Sequence, residues 1–389
     1  MRAVEIKKGI YWVGAVDWDL RSFHGYLTQR GSTYNAYLIV DEKVVLVDTV
    51  KNYFFDEMLE RIRSVVDPEK IDYVVSNHVE MDHSGSLPQI ISIAKKAKVI
   101  TSPNGEKGLK KHYGADWNLS VVATGNSINI GRRNLQFVLT QMVHWPDSMA
   151  TCIPEEKLLL PNDAFGQHIA TSERFDDQVP IDIIKQEAAK YYANIVLPYG
   201  TQVKKALDAV SSLDIDMIAS SHGLIWRRYL GEIVDCYKKW ADNVTEPKAV
   251  VVYDTMWKST EKIAKAISEA FLDKNVPVKL MSLQTNHISD VMTEVLTAKY
   301  VCVGSPTLNN GLLPTVSAFL TYMKGLAPTK RVGLSFGSYG WGGQSIKEIG
   351  DVLASCGFTT LDPVKVEYVP DKQMLNDLKE KVKQSIGEV

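Results

Sequence analysis

Cysteine is scarce and scattered: Cys152, Cys236, Cys302 and Cys356 are the only four in 389 residues, and no two form a CxxC pair. That spacing argues against a disulfide framework and a thiolate metal site, and it suits a reducing cytoplasm. Iron–sulfur and rubredoxin-type iron sites are not expected either. No run approaches the ~18 apolar residues of a membrane span, and the opening MRAVEIKKGIYWVG lacks the apolar core of a signal peptide. Net charge is only −2, so neither nucleic acid nor an anionic membrane is an expected partner. What remains is ordinary for a soluble globular protein: 23% charged and 45% hydrophobic residues. The length of 389 exceeds a comfortable single core, so two domains are expected.

The densest chemistry lies in residues 71–87, IDYVVSNHVEMDHSGSL. Ile71 to Val75 reads as a buried strand, and the loop after it carries His78, Glu80, Asp82 and His83. Alternation in an extended loop sends His78, Glu80 and Asp82 to one side. Two imidazoles and two carboxylates this close call for a cation between them.

Around this stretch, residues 1–50 alternate in the β manner as IYWVGAVDW, YNAYLIV and KVVLVDTV. Strand–helix alternation follows, then a strand pair over LQFVLTQMVHWPDSMATCI and KLLLPNDAF. Three lone ligand types stand at strand ends: His144 after QMV, Asp163 after KLLLPN and His222 after IASS. Each alone is weak. With the first cluster they total four histidines and three carboxylates, too many for one tetrahedral zinc and suited to two metals sharing a bridge. His112 and His287 sit in polar contexts and read as surface residues.

Composition changes at NVTEPKAVVVYD, which puts a boundary near residue 247 and predicts domains 1–246 and 247–389. Beyond it, strands at AVVVYD, PVKLMSL, KYVCVGS, RVGLSFG and PVKVEYV alternate with helical stretches. That pattern predicts a doubly wound parallel sheet, flavodoxin-like, with its ligand at the carboxyl ends of the strands. The loop DTMWKSTEKIA follows the first strand. Thr255, Met256, Trp257, Ser259 and Thr260 form an anion site there, at a helix start. It has no GxGxxG and no GK[ST], which disfavours a dinucleotide or nucleoside triphosphate. Ser305, Pro306, Thr307, Asn309 and Asn310 in the loop after the third strand bring backbone near a flat ring. Gly337, Tyr339, Gly340, Trp341 and Gly342 do the same after the fourth, with Tyr339 and Trp341 placed to stack on or edge that ring.

The pattern H-x-[HE]-x-D-H followed by distant His, Asp and His resembles the metallo-β-lactamase fold. Its hydrolases usually have His at the third position, where this chain has Glu80. An added anionic oxygen ligand favours redox-active iron over zinc. NHVEMDHSG, HWPDSM, NDAFGQH and SHGLIWR together resemble the flavodiiron proteins over nearly the whole chain. The resemblance implies an N-terminal metallo-β-lactamase-like αβ/βα sandwich joined to an FMN-binding flavodoxin-like domain. It implies that His78, Glu80 and His144 hold one iron, that Asp82, His83 and His222 hold the other, and that Asp163 bridges them. His24 and Tyr192 would line the substrate pocket, and His168 would be second-layer or structural. The implied activity is reduction of dioxygen to water, of nitric oxide to nitrous oxide, or both. In the short form without a fused rubredoxin, electrons come from a separate donor, rubredoxin or a reduced deazaflavin coenzyme. A head-to-tail homodimer, or a dimer of dimers, would set one chain's flavin against the other's irons. Two alternatives stay open on the sequence: a dizinc hydrolase with an appended flavodoxin domain, and an electron carrier with a degenerate metal site.

Overall fold

The computed structural model describes every residue except Ala115, Glu388 and Val389. It divides into two compact units, residues 1–191 with 199–238, and residues 192–198 with 239–389.

The first unit is a sandwich of two sheets. One sheet runs in chain order: β1 (Val4–Lys7), β2 (Ile10–Trp12), β3 (Tyr37–Val40), β4 (Val44–Val47), β5 (Ile71–Val75), β6 (Lys98–Thr101) and β7 (Leu119–Val121). It is antiparallel up to β4 and parallel from there on. The other sheet is β8 (Ser127–Asn129), β9 (Asn134–Leu139), β10 (Met149–Ile153), β11 (Leu158–Leu160) and β12 (Met217–Ile218), with only the last pair parallel.

The two-residue period of a strand sorts the apolar side chains of β4 and β5 into two cores. Val45, Val47 and Val75 join Phe137, Met149 and Leu160 between the sheets. Val44, Leu46 and Val74 face outward, against Met58 and Ile62 of α1 (Phe55–Arg63) and Leu87 and Ile90 of a second helix, Leu87–Ile93. Burial on both faces is why VVLV reads as a continuous apolar run. The Pro103–Tyr113 helix shows how local signals fix its bounds. Ser102 caps it by accepting from the Gly105 amide at 2.9 Å, Pro103 opens it, and Gly114 closes it at φ 60°.

The second unit is a parallel sheet whose main strands are Glu246–Tyr253, Val278–Ser282, Ala298–Gly304, Val332–Tyr339 and Val364–Glu367, with the short Thr359–Thr360 also paired to the fourth. Numbering those strands one to five, their spatial order is 2-1-3-4-5, the flavodoxin-like order. Val251 and Cys302 pack with Ile267 and Phe271 on one face, and Val250, Val252, Val301 and Val303 are equally buried on the other.

By contacts the division between the units falls at Lys238/Lys239, inside the Leu230–Ala241 helix. Residues 239–246 belong with the second unit for a polar reason. The buried Arg331 guanidinium donates to Asn243 Oδ1 at 2.7 Å, and the Thr329 amide donates to the same oxygen at 3.1 Å.

One buried amide ties the first sheet of the sandwich to the loop after β12. Asn35 accepts from Trp12 Nε1 at 2.7 Å and donates to the carbonyls of Ser220 and Gly223 at 2.8 and 3.0 Å. Asn35→Ala strands a buried indole N–H and weakens the satisfaction of both carbonyls. It is expected to cost about 2–3 kcal/mol in urea unfolding. It should also lower bound metal, because the loop it holds carries His222.

Candidate metal centre and flavin site

All seven expected metal ligands stand in loops that follow strands of the sandwich. His78, Glu80, Asp82 and His83 come after β5, His144 after β9, Asp163 after β11 and His222 after β12. The fold gathers them into two groups, His78–Glu80–His144–Asp163 and Asp82–His83–His222, with the ligand atoms of each within 4.8 Å of one another. The extended alternation expected over His78–Asp82 stops early. A helical turn begins at Met81 and runs to Ser84, with Glu80 as its N-cap. Rotation in that turn carries Asp82 and His83 away from His78 and Glu80 into the second group.

Asp163 reaches both groups. Its Oδ2 lies 3.3 Å from His144 Nε2 and 3.6 Å from His78 Nε2. Its Oδ1 lies 3.0 Å from His83 Nε2 and 3.3 Å from His222 Nε2. Asp82 closes the second group, Oδ1 3.4 Å from His83 Nε2 and Oδ2 3.2 Å from His222 Nε2. Donor atoms each about 2.1 Å from a common metal sit roughly 3 Å apart. Asp82 Oδ1, Asp163 Oδ1 and both ring nitrogens of His83 are buried and find no hydrogen-bond partner. Atoms that lie this close yet do not bond to one another are aimed at shared points, so the donor set fits two cations with a carboxylate bridge.

The neighbouring layer orients these ligands. Asp147 Oδ2 accepts from the Val79 amide at 2.8 Å and pairs with His78 Nδ1 at 2.9 Å, leaving Nε2 for metal. His222 Nδ1 donates to the Thr33 carbonyl at 2.7 Å. Asp48 takes Asn77 N at 2.8 Å, Asn77 Nδ2 at 3.1 Å and Asn162 Nδ2 at 3.2 Å, which ties together the two ligand-bearing loops after β5 and β11. Without cations the carboxylates draw protons onto the rings. Burial alone would lower the His222 imidazole, but hydrogen bonds to Asp163 and Asp82 raise it to about 10. Metal ions displace those protons, so binding and proton release are linked.

His24 sits at the tip of a hairpin pairing Ser22–Phe23 with Tyr26–Leu27. His24 and Gly25 have φ of 52° and 80°, the positive values a type I′ turn needs at both central positions. The turn sets His24 Nε2 2.9 Å from Glu80 Oε1. His168 belongs to neither group. Its Nδ1 pairs with Ser32 Oγ at 2.7 Å, and burial followed by the nearby His222 holds the ring well below its ordinary pKa. The Tyr192 ring packs on Trp240, with centroids 5.1 Å apart. The adjacent Tyr191 has ring centroids 5.1 Å from His168 and 6.0 Å from His222. Asp48, Asp147 and Tyr191 were not picked out from sequence. The strand-end aspartate in VVLVDT and the HxxD spacing of HWPD are the signals that could have found the first two.

In the second unit a hollow of about 250 Å³ opens at the carboxyl ends of the strands. Thr255, Met256, Trp257 and Ser259 line it from the first loop, Pro306 and Thr307 from the second, and Tyr339 and Gly340 from the third. Ser338, Tyr368 and Val369 also line it and were not anticipated. Thr260 and Ser305 are buried beside it: Thr260 Oγ1 lies 3.1 Å from Ser338 Oγ, and Ser305 Oγ donates to the Pro306 carbonyl at 2.8 Å. Gly337 must lack a side chain, because a Cβ there would meet the Ser305 carbonyl. Asn309 and Asn310 form an exposed left-handed tip with φ of 50° and 61°. Trp341 and Gly342 lie in the exposed part of the third loop. The Ser259–Leu272 helix starts at this hollow, and Lys258 ahead of it pairs with Glu261 at 2.8 Å. Thr255 Oγ1 is buried with no hydrogen-bond partner. An unsatisfied hydroxyl beside a 14-residue helix N-terminus fits a phosphate monoester.

A carboxylate-rich two-metal centre together with a phosphate-and-ring cradle defines a metal- and flavin-dependent oxidoreductase. Residues 33–223 match the ODP family beta lactamase and residues 251–381 the flavodoxins. A nitric oxide reductase of Moorella thermoacetica is 47% identical over 99% of both chains. The structure superposes on a rubredoxin oxygen:oxidoreductase from Desulfovibrio gigas with a TM-score of 0.97 at 43% identity, covering 99% of this chain and 98% of that one. On a flavodiiron protein from Giardia intestinalis the TM-score is 0.96 at 32% identity, covering 99% and 96%. The chain belongs to the flavodiiron proteins, and its cofactors are FMN and a diiron centre.

Purified protein is expected to carry about two irons per chain. Asp163→Ala should lower occupancy of both positions, and Asp147→Ala should weaken metal affinity about 10–100-fold. Metal analysis with chelator competition checks both; two zincs and hydrolase activity would contradict them. For the flavin, Thr260→Asp sets a carboxylate against the phosphate and should weaken FMN binding. Mass analysis of the released cofactor checks its identity, and FAD would contradict the one-phosphate reading.

Proposed function

We propose that the protein reduces dioxygen to water as its main reaction and also reduces nitric oxide, with electrons from a separate donor. The observation that carries the reading is the donor set, in which Glu80, Asp82 and Asp163 supply anionic oxygen to metals buried among four imidazoles. Hard carboxylate ligands suit iron that cycles in charge. When bound, two ferrous ions and a reduced flavin supply the four electrons that dioxygen needs, or the two that join two nitric oxides.

The chain's own contribution is to seat those groups and to bring protons. His24 is the best-placed proton carrier: its side chain is 70% exposed, yet Nε2 lies 2.9 Å from the metal ligand Glu80. It can take a proton from solvent and hold it at Nε2 beside the substrate position. Tyr191 adds a buried hydroxyl on the His222 side. His78, Glu80 and His144 are assigned to one iron and Asp82, His83 and His222 to the other, with Asp163 shared.

For the donor we favour rubredoxin over a reduced deazaflavin coenzyme, because the Desulfovibrio neighbour is named for rubredoxin. A cytoplasmic setting suits four free cysteines. Assembly as a head-to-tail homodimer is supported by bare aromatics near the flavin hollow: Trp257 is 88% and Trp341 80% exposed. Sedimentation is expected to show a dimer or a dimer of dimers; a fully active monomer would sink this part.

Dioxygen reduction consumes four protons and nitric oxide coupling two, so loss of a proton carrier should weigh more on the first. His24→Asn is expected to slow dioxygen turnover roughly 10–100-fold and nitric oxide turnover less. Steady-state rates with both gases at fixed reduced rubredoxin test the proposal. Equal losses would reduce His24 to a pocket-shaping residue, and no turnover of either gas by the wild type would overturn the function.

A further inference from the structure

We infer that the sandwich unit holds a docking cavity for an apolar diatomic gas directly behind the metal centre, an inference that rests on the gas-reducing function proposed above. The cavity measures about 30 Å³ and its accessible wall is entirely apolar. Ala150 of β10 and Leu159 of β11 form its sheet side, and Val203 and Leu207 form its helix side, on Gly200–Val210. Two further wall residues decide its meaning. Val143 directly precedes the ligand His144, and Ala164 directly follows the bridging ligand Asp163. The cavity is therefore one residue from both.

Size and chemistry select the occupant. A water needs roughly 10–15 Å³ of such space and two to four polar partners. The cavity has room for about two atoms of that size, but its wall offers no hydrogen bond. The nearest hydroxyls add no accessible polar surface: Tyr237 Oη accepts from the Phe165 amide at 2.7 Å, and Thr140 Oγ1 is buried in the wall without a hydrogen-bond partner. Dioxygen and nitric oxide are diatomic, weakly polar and poorly solvated, so they gain by leaving water for such a wall. Close-packed interiors keep few voids of this size. Small residues, Ala150 and Ala206, hold this one open where a larger apolar side chain would close it. A gas held here is concentrated beside the irons without competing for a ligand position. The wall cannot tell dioxygen from nitric oxide, so it serves capture and not selection.

The test uses the iron- and FMN-loaded protein. Xenon under pressure is the structural probe, and stopped-flow oxidation of the reduced protein across dioxygen and nitric oxide concentrations is the kinetic one. Xenon is expected in the wild-type cavity and lost in Ala206→Leu. In that variant the second-order rate constant should fall about fourfold, the worth of burying one methylene-sized group. Iron and FMN content and the plateau rate should not change. Ala150→Val fills the same space from the sheet and serves if the first variant does not fold. A wild type that consumes gas but takes no xenon here overturns the inference alone. So does a variant that loses xenon and keeps both second-order rate constants. A loaded wild type that consumes neither gas overturns the functional reading on which the inference rests.

Discussion

Seven ionisable side chains with convergent lone pairs, most of them buried, are the constraint on which the first unit depends. Burying such groups unpaired is costly, and pairing one with another satisfies them only in part. Asp82, His83 and Asp163 keep atoms without hydrogen bonds because those atoms are aimed at common points and not at each other. Cations resolve the conflict, but only in a frame stiff enough to hold the set before they arrive. The frame is built from polar contacts one layer out: Asp48 across two ligand-bearing loops, Asp147 on His78 and the Thr33 carbonyl on His222. Burial raises the Asp48 carboxyl, whereas the three amide N–H groups it accepts and His83 act to keep it charged.

The sandwich suits this task because each ligand loop leaves the end of a strand packed in the core between the sheets. β5 carries the dense motif, and three strand ends of the other sheet deliver one ligand each. The second unit solves a different binding problem with the same geometry. Its strand ends face a dianion and a flat ring, and it answers with a helix N-terminus, hydroxyls and glycine-permitted close approach. Lys258, the basic residue nearest that helix start, spends its charge on Glu261. Such a site would hold one phosphate by amide donors at the helix start.

Most of this was legible in the sequence, and the misses have physical causes. The ligand types stand alone at strand ends, where an apolar run makes a polar residue conspicuous. The doubly wound order followed from strands buried on both faces. Asp82 was placed on the wrong side of an extended loop because Met81–Ser84 forms a helical turn, and a change of period reverses side-chain direction. Tyr191 carries no such signal of its own. The Ile181–Tyr191 helix gives way to a π turn over Tyr192–Val196, and the shift sends adjacent tyrosines to different neighbours. Asp48, Asp147 and Ser338 carry no motif of their own, because residues that orient ligands are recognisable only through the contact they make.

The metal centre must be supplied with two things of opposite character. Protons move along polar groups, and in the function proposed here His24 would carry one where a hairpin tip meets both solvent and Glu80. Small gases move through apolar space, and such space adjoins the backbone of His144 and Asp163. Joining the two routes would work against both, since water following the gas would solvate the carboxylates and weaken their hold on the metals. Keeping the proton carrier on a turn and the gas space in the core leaves each free to vary. A larger side chain at Ala206 changes capture without touching proton supply, and a change at His24 does the reverse. That independence is what a fold gains by building its centre from loops at the rim of two sheets, with solvent on one side and packed side chains on the other.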